Sequence, residues 1–187
     1  KRLGGRATSF VDPSTGQVLD NCQHVLMGCC TNLLDLYRRL DVEQKIRWFK
    51  RLYFVDNKGR KDVLEADDLP APMHMTRSLM AFKSLTVREK VAIAQGMLAI
   101  MRLGKEGRQA LWDITFLDWL LEQRQPQSAI DKFWGLIAVS ACNEIPDRVA
   151  AHYAIQVFQE GFLMVKDYFL FSYFYFFGFL KVSCNSL

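Results

Sequence analysis

Cysteine, histidine and proline are scarce in this chain of 187 residues, which has five cysteines, three histidines and five prolines. The odd number and uneven spacing of the cysteines indicate reduced thiols rather than a disulfide framework. No Cys-x-x-Cys or paired-histidine spacing accompanies them, so we expect no metal site. Reduced thiols favour a cytoplasmic location.

The chain also has little net charge. Its 24 Lys and Arg residues against 20 Asp and Glu give a formal charge of +4, and the basic residues are scattered. A nucleic-acid partner is therefore not expected. Residues 1–21 lack the apolar stretch and small-residue cleavage site of a signal peptide. The chain does not begin with Met and opens inside a motif, which indicates a fragment.

That motif is Gly4-Gly5-Arg6, just before a predicted hairpin. Glycine has no Cβ, so its backbone can approach a phosphate closely, and arginine offers a fork of donors that matches phosphate oxygens. Ordinary turns with a solvated arginine have the same composition. The tripeptide therefore indicates phosphate contact only when it is taken together with the Asp-Asn-Cys-Gln-His segment over residues 20–24.

Turn signals and apolar periodicity predict an α+β chain. Strands over 7–12 and 17–21 flank one turn, strands over 47–55 and 60–65 flank another, and a helix over 31–40 lies between the hairpins. Thr86 and Glu89 form a capping-box pattern, and Gly104 is expected to end the helix that they open. The five helices predicted after the hairpins span residues 76–82, 86–103, 115–124, 128–142 and 146–158.

Proline residues and composition divide the chain into three regions. Pro70 and Pro72 separate a hairpin region, 1–69, from a helical region, 70–163, and an aromatic tail follows over 164–187. Tyr168 to Leu180 holds nine Phe or Tyr in thirteen residues, a run too short to span a bilayer as a helix. Three interpretations stay open for the tail: translation of DNA outside the true frame, a membrane-contacting segment, or a buried strand or helix.

Residues 3–10, 12, 15–16 and 20–29 together resemble the superfamily of FAD-dependent amine oxidases and carotenoid desaturases. Within it the match is closest to the squalene-associated hydroxysqualene dehydroxylase branch, for which Asp-Asn-x-Gln-His followed by Gly-Cys is the more specific motif. The resemblance continues to about residue 163. It implies an α+β fragment of a two-domain FAD-dependent oxidoreductase, with hairpins from the FAD-domain side followed by a mostly helical substrate-binding region.

The resemblance also implies FAD as the cofactor and assigns residues to it. Gly4-Gly5-Arg6 would lie against the FAD pyrophosphate, and Asn21 and Gln23 would lie near the flavin. Gln23 and His24 are the catalytic candidates, because a histidine with a pKa near neutrality could donate a proton to a leaving hydroxyl. A structural histidine bonded to backbone is the alternative for His24.

The helical region would form a cap with an apolar tunnel for an isoprenoid substrate. The candidates for lining this tunnel, with ordinary core packing as their alternative, are Phe116, Trp119, Leu120, Trp134 and Phe158.

Two features depart from the family pattern. Cys22 stands where the family has glycine, and the Gly-x-Gly-x-x-Gly dinucleotide-binding turn is not among these 187 residues. We therefore expect the chain alone to be inactive and to purify without stoichiometric FAD.

The implied activity is removal of the hydroxyl from hydroxysqualene to give squalene, in which hydride from reduced flavin quenches an allylic cation. The first alternative is a carotenoid or phytoene desaturase-like or amine-oxidising flavoenzyme. An alternative of another class is a non-catalytic fragment whose tail drives membrane association or aggregation. The expected partner is an isoprenoid small molecule, and peripheral contact with the inner membrane and the oligomeric state stay open.

Overall fold

The computed structural model of the chain describes residues 9–20, 24–56, 58–163 and 171–174. They fall into two compact units that divide after Lys50. The first unit comprises the described residues up to Lys50 together with 171–174, and the second comprises those from 51 to 163.

The first unit opens with the predicted hairpin. Strand β1 (Ser9–Val11) pairs antiparallel with β2 (Val18–Asp20). Asp12 holds the turn, because its carboxylate accepts hydrogen bonds from the Thr15 hydroxyl at 2.6 Å and from the Ser14 backbone N–H at 3.0 Å. These bonds, that of Thr15 foremost, lower the pKa of Asp12. The hairpin prediction is confirmed.

A three-stranded antiparallel sheet follows in the order β3-β7-β4. Its strands are β3 (His24–Met27), β7 (Phe171–Phe174) and β4 (Trp48–Phe49). Four residues of the aromatic tail thus form a strand, as one of its three interpretations expects, and the rest of the tail lies outside the described residues.

Helix α1 (Thr31–Arg39) connects β3 to a short 3₁₀ turn (Glu43–Lys45), and its predicted position is confirmed. An apolar cluster forms between these elements and the sheet. Its buried members are Leu26, Tyr37, Val42 and Ile46, with Leu34 and Trp48 packed against them. Burial raises the pKa of the Tyr37 hydroxyl.

The second unit begins with a hairpin formed by β5 (Arg51–Val55) and β6 (Lys61–Glu65). Hydrogen bonds attach it to the helical part of the unit, since the buried Asp62 carboxylate accepts from the backbone N–H groups of Lys83 and Ser84, in the loop between two helices, at 2.7 and 3.0 Å. This attachment agrees with the start of the compact unit at Arg51, and the boundary near residue 69 that Pro70 and Pro72 suggested stays a prediction.

Helices make up the remainder of the second unit. They are α2 (Thr76–Ala81), α3 (Val87–Gln109), α4 (Phe116–Glu122), α5 (Gln127–Ala129), α6 (Gly135–Cys142) and α7 (Ala151–Gln156). A 3₁₀ turn (Met73–Met75) precedes α2. A π-helical segment (Ile130–Trp134) joins α5 to α6, and another (Val157–Leu163) continues α7.

Helix α3 starts as predicted but does not end as predicted. Thr86 and Glu89 form the capping box. Gly104, expected to end the helix, instead kinks it at φ 64° and ψ −173°, a conformation open to glycine, and the helix resumes as far as Gln109. The carbonyls of Ile100 and Gly104 accept hydrogen bonds from the Gln159 side-chain amide at 2.9 and 3.0 Å. Gln159 therefore stabilises the kink.

The last helix begins later than its sequence suggests. Pro146 suits a first helical turn, but α7 starts at Ala151. The carbonyls of Pro146 and Val149 accept hydrogen bonds from the backbone N–H groups of Leu117 and Phe116 at 2.8 and 2.9 Å. Those N–H groups lie in the first turn of α4 and have no partner within that helix. The residues before α7 therefore form a turn whose carbonyls satisfy the start of α4, and they do not begin the helix.

Candidate functional site

The residues predicted to bind the cofactor, Gly4, Gly5, Arg6, Asn21 and Gln23, lie outside the described residues, as does Cys22. The hairpin between the two motifs is described. Ser9 pairs with Asp20, so the hairpin returns the chain to the end at which it entered.

His24 is the first residue of β3, where its backbone pairs with that of Phe174 in β7. The candidate histidine therefore begins a strand of the first unit. Its role, as proton donor or as structural residue, stays a prediction. The other two histidines, His74 and His152, are buried in the second unit.

The predicted tunnel residues form one buried aromatic cluster in the second unit. Trp134 lies at its centre, with its ring centroid 4.8 Å from that of Phe158 and 6.2 Å from that of Phe116. Phe116 also contacts Phe158 at 5.8 Å and Trp119 at 6.2 Å. Leu120 is buried as well. The structure thus brings together every predicted lining residue, and their contact with substrate stays a prediction.

The cluster includes rings that the sequence did not single out. Phe133 packs edge-on against Trp134 at 5.3 Å, and Phe162 lies 5.6 Å from Phe158. These residues are on the two π-helical segments, where the extra residue per turn shifts the phase of the side chains. Such segments are frequent at functional sites. No signal in the sequence distinguishes them from ordinary α-helix.

A buried glutamine holds the central tryptophan. The Trp134 indole N–H donates to the Gln125 side-chain oxygen at 2.8 Å, and the Gln125 amide donates to the Ala92 carbonyl of α3 at 2.7 Å. Gly96, one turn further along α3, leaves room for the indole, because a Cβ there would meet Trp134 Cζ2 at 2.8 Å. Trp134 is therefore fixed in both position and orientation.

A second polar network, which sequence reasoning missed, surrounds Arg108. This side chain is buried and donates to Gln159 at 2.9 Å and to Glu160 at 3.1 and 3.2 Å. The His152 ring contacts the Arg108 carbonyl oxygen through Nδ1 at 3.1 Å. Because the network joins residues more than forty positions apart, the local sequence does not predict it.

The carboxyl group of Glu89 has a strongly lowered pKa. Burial alone would raise its pKa, but hydrogen bonds from Lys132, Ser128 and Thr86 outweigh burial and lower the pKa to about 2. The Lys132 ammonium donates to the carboxylate at 2.8 Å. Glu89 therefore stays ionised and joins the start of α3 to the π-helical segment that carries Trp134.

The described ranges lack two kinds of feature. No cluster of three or more His, Cys, Asp or Glu side chains suited to a metal ion occurs within these ranges. Among their helices, none combines the length and apolar content needed to cross a bilayer.

Comparison with known proteins supplies relatives, although no family model matches the chain. The 15-cis-phytoene desaturase of Synechococcus elongatus is 25% identical over 154 residues, which cover 80% of this chain and 32% of that protein. The zeta-carotene desaturase of Capsicum annuum is 24% identical over 167 residues, which cover 83% of this chain and 28% of that protein. The 15-cis-phytoene desaturase of the same plant is 29% identical over 157 residues, which cover 79% of this chain and 26% of that protein. The chain thus spans about a third or less of the length of these relatives.

Among solved structures, wild-type putrescine oxidase bound to putrescine matches with a TM-score of 0.59 and 16% identity, over 98% of this chain and 40% of the oxidase. At that identity the likeness shows the fold alone. The chain therefore has the fold of part of an amine oxidase.

These comparisons define the class first: the relatives are oxidoreductases. The desaturases among them agree with the resemblance of the motifs to the superfamily of FAD-dependent amine oxidases and carotenoid desaturases. They do not support the hydroxysqualene dehydroxylase branch, since the relatives reported above are desaturases and an amine oxidase.

Proposed function

We propose that this chain is part of an FAD-dependent desaturase that acts on a polyene isoprenoid of the carotenoid type. The observation that carries the proposal is the similarity to phytoene and zeta-carotene desaturases over 79–83% of the chain. That similarity extends beyond the hairpins into the helical region, where substrate contacts are expected.

FAD is part of the proposal. Two glycines beside an arginine suit a pyrophosphate, because the backbone can approach the phosphates closely and the guanidinium can bind their oxygens. FAD, when bound, supplies the redox chemistry by accepting a hydride. Gly4, Gly5 and Arg6 lie outside the described residues, so their contact with FAD is part of the proposal.

The proposed substrate is apolar, and this determines what the helical region must do. A carotenoid precursor is a hydrocarbon, so its site must select by shape and must exclude water rather than form polar contacts. The proposal assigns this task to the aromatic cluster around Trp134 and Phe158, whose rings are buried in the structure. Peripheral contact with a membrane, where such a substrate dissolves, belongs to the same proposal.

Hydroxysqualene dehydroxylation is a second candidate, favoured by the motif over residues 20–29. The two activities differ in the direction of hydride transfer. A desaturase moves hydride from substrate to flavin and releases a proton, whereas the dehydroxylase moves hydride from reduced flavin to a carbon that has lost hydroxide as water. Only the second reaction needs a proton donor for a leaving hydroxyl, the role predicted for His24.

The test uses the full-length protein that contains this chain, purified with FAD and supplied separately with phytoene plus an electron acceptor and with hydroxysqualene plus a reductant. We expect a longer conjugated polyene from phytoene, seen as a red shift of its absorption. Squalene from hydroxysqualene, with phytoene unchanged, would contradict the proposal and favour the second candidate.

A matched pair of variants tests the tunnel prediction. Phe158→Leu alters the aromatic cluster, whereas Phe82→Leu alters a buried ring that packs against Phe54, with centroids 5.3 Å apart. If the cluster lines the substrate site, Phe158→Leu changes KM or the product pattern and Phe82→Leu does not. Equal kinetics in the two variants, at equal folded fraction, would assign Phe158 to core packing alone.

A further inference from the structure

A surface groove lies between the first half of α3 and the connection from α4 to α5. It holds about 390 Å³, a size typical of small-molecule sites. Its lining residues are Arg88, Val91, Ala92, Gln95, Arg124 and Pro126. The four residues from α3 follow the i, i+3, i+4, i+7 spacing and so share one helix face.

The groove is positively charged and has no internal counter-charge. Arg88 and Arg124 line it, and no acidic side chain does. Neither arginine has an ion-pair partner within the parts of the chain that the structure describes. The nearest carboxylate in sequence, Glu89, is buried and bonded to Lys132. An anion in the groove would therefore meet two uncompensated guanidinium groups.

Both arginines occupy positions that the local structure disfavours. Arg88 lies in the first turn of α3, where the helix dipole opposes a positive charge. Arg124 has φ 57°, the left-handed conformation after a helix end that glycine or asparagine adopts at lower cost. Two such departures at one groove are typical of function rather than of fold stability.

The wall that carries Arg124 is fixed to the facing helix. Its neighbour Gln125 is buried and bonds both the Ala92 carbonyl and the Trp134 indole. The backbone spacing of the two walls is therefore held by the core before any ligand arrives, which lowers the entropic cost of binding. Beside them, Val91 is half exposed and Pro126 partly so, and these residues add apolar surface.

We propose that this groove binds an anionic amphiphile. Its phosphate head group lies between Arg88 and Arg124, because guanidinium groups bind phosphate oxygens in pairs. Its hydrocarbon chain lies along Val91, Ala92 and Pro126. The site does not depend on the flavin or on the proposed desaturase activity.

The test is calorimetric titration of the 187-residue chain with octyl phosphate, with inorganic phosphate and octanol as partial probes. The double variant Arg88→Gln with Arg124→Asn removes both charges, and asparagine keeps residue 124 able to adopt its backbone conformation. Arg102→Gln is the matched control, because it removes an exposed arginine of α3 outside the groove.

We expect saturable binding of octyl phosphate that weakens at least tenfold in the double variant and stays unchanged in the control. Inorganic phosphate should bind more weakly than octyl phosphate, and octanol should not saturate. Equal loss in the control, or no loss in the double variant, would overturn the proposal.

Vesicles distinguish a membrane lipid from a free amphiphile as the ligand. Phosphatidic acid vesicles carry the anionic head group, and phosphatidylcholine vesicles are their control. Loss of phosphatidic acid binding in the double variant assigns the groove to a membrane lipid. Binding of octyl phosphate without vesicle binding assigns it to a free amphiphile. Absence of both overturns the site.

Discussion

Replacing Gly96 by alanine tests the packing around Trp134 most sharply. A Cβ at this position would lie 2.8 Å from Trp134 Cζ2 and 3.1 Å from the Gln125 side-chain nitrogen. Neither group can retreat easily, because the indole is fully buried among Phe116, Phe133 and Phe158. The new methyl group must therefore displace core side chains or the helix itself.

The magnitude follows from two opposing effects. Alanine in place of glycine inside a helix stabilises by about 0.5–1 kcal/mol. Forcing a methyl group into a well-packed core costs about 1–3 kcal/mol. We expect overpacking to win, with a net loss of about 1 kcal/mol in the free energy of unfolding. With a urea m value of roughly 1–3 kcal/mol/M, the unfolding midpoint falls by about 0.5 M.

Gly107→Ala is the matched control in the same helix. A Cβ at Gly107 would meet only the Leu103 side chain, the nearest atom being its terminal Cδ1 at 2.7 Å, which can rotate away. We expect this variant to be as stable as the parent chain or slightly more so. Urea unfolding followed by tryptophan fluorescence measures both. If Gly96→Ala unfolds at the same urea concentration as Gly107→Ala, the inferred packing of Trp134 is wrong.

Three further substitutions probe the polar networks by the same urea assay. Glu89→Gln should destabilise by about 1–2 kcal/mol at pH 7, because it removes the ion pair with Lys132. Since folding lowers the Glu89 pKa from 4.5 to about 2, its contribution is full above pH 4.5 and is lost as the pH falls toward 2; a variant with unchanged acid dependence would contradict this. Gln159→Leu should cost about 2–3 kcal/mol, because it leaves buried carbonyls and the Arg108 guanidinium with fewer partners; a loss below about 0.5 kcal/mol would refute the kink's dependence on it. Asp62→Ala should cost about 1–3 kcal/mol by removing the acceptor for two backbone N–H groups, and the second hairpin should gain hydrogen exchange first; uniform exchange would refute its role as the attachment.

Local chemistry made much of the fold predictable. The turn at Asp12, the capping box at Thr86 and the helix start at Thr115 each depend on residues within three or four positions of one another. Such contacts are present in the sequence as spacing, which is why the elements were predicted with small errors in their ends.

The predictions were wrong where residues distant in sequence determine where a helix begins or ends. Gly104 was expected to end α3, but Gln159, more than fifty positions away, supplies the hydrogen bonds that let the helix continue. Pro146 was expected to open α7, but its carbonyl is needed by the first turn of α4. Propensity at one residue cannot report a partner that only the tertiary structure brings near.

The site shows the same division. The sequence could predict that the aromatic residues of the helical region lie together. It could not predict the Arg108 network or the Arg88–Arg124 groove, because their residues come together only when the helices pack. The motif residues resemble a superfamily with which the desaturase relatives agree, but the branch to which the motifs are most similar differs from these desaturases. A few motif residues are shared widely, so they indicate a superfamily better than a substrate.

The most direct test of the central claim is a paired assay of the full-length protein that contains this chain, reconstituted with FAD and given phytoene with an electron acceptor in one reaction and hydroxysqualene with an electron donor in the other. The account predicts bound flavin, consumption of phytoene and a product with a longer conjugated system. Squalene formation with phytoene untouched, or a protein that binds no flavin, would contradict it.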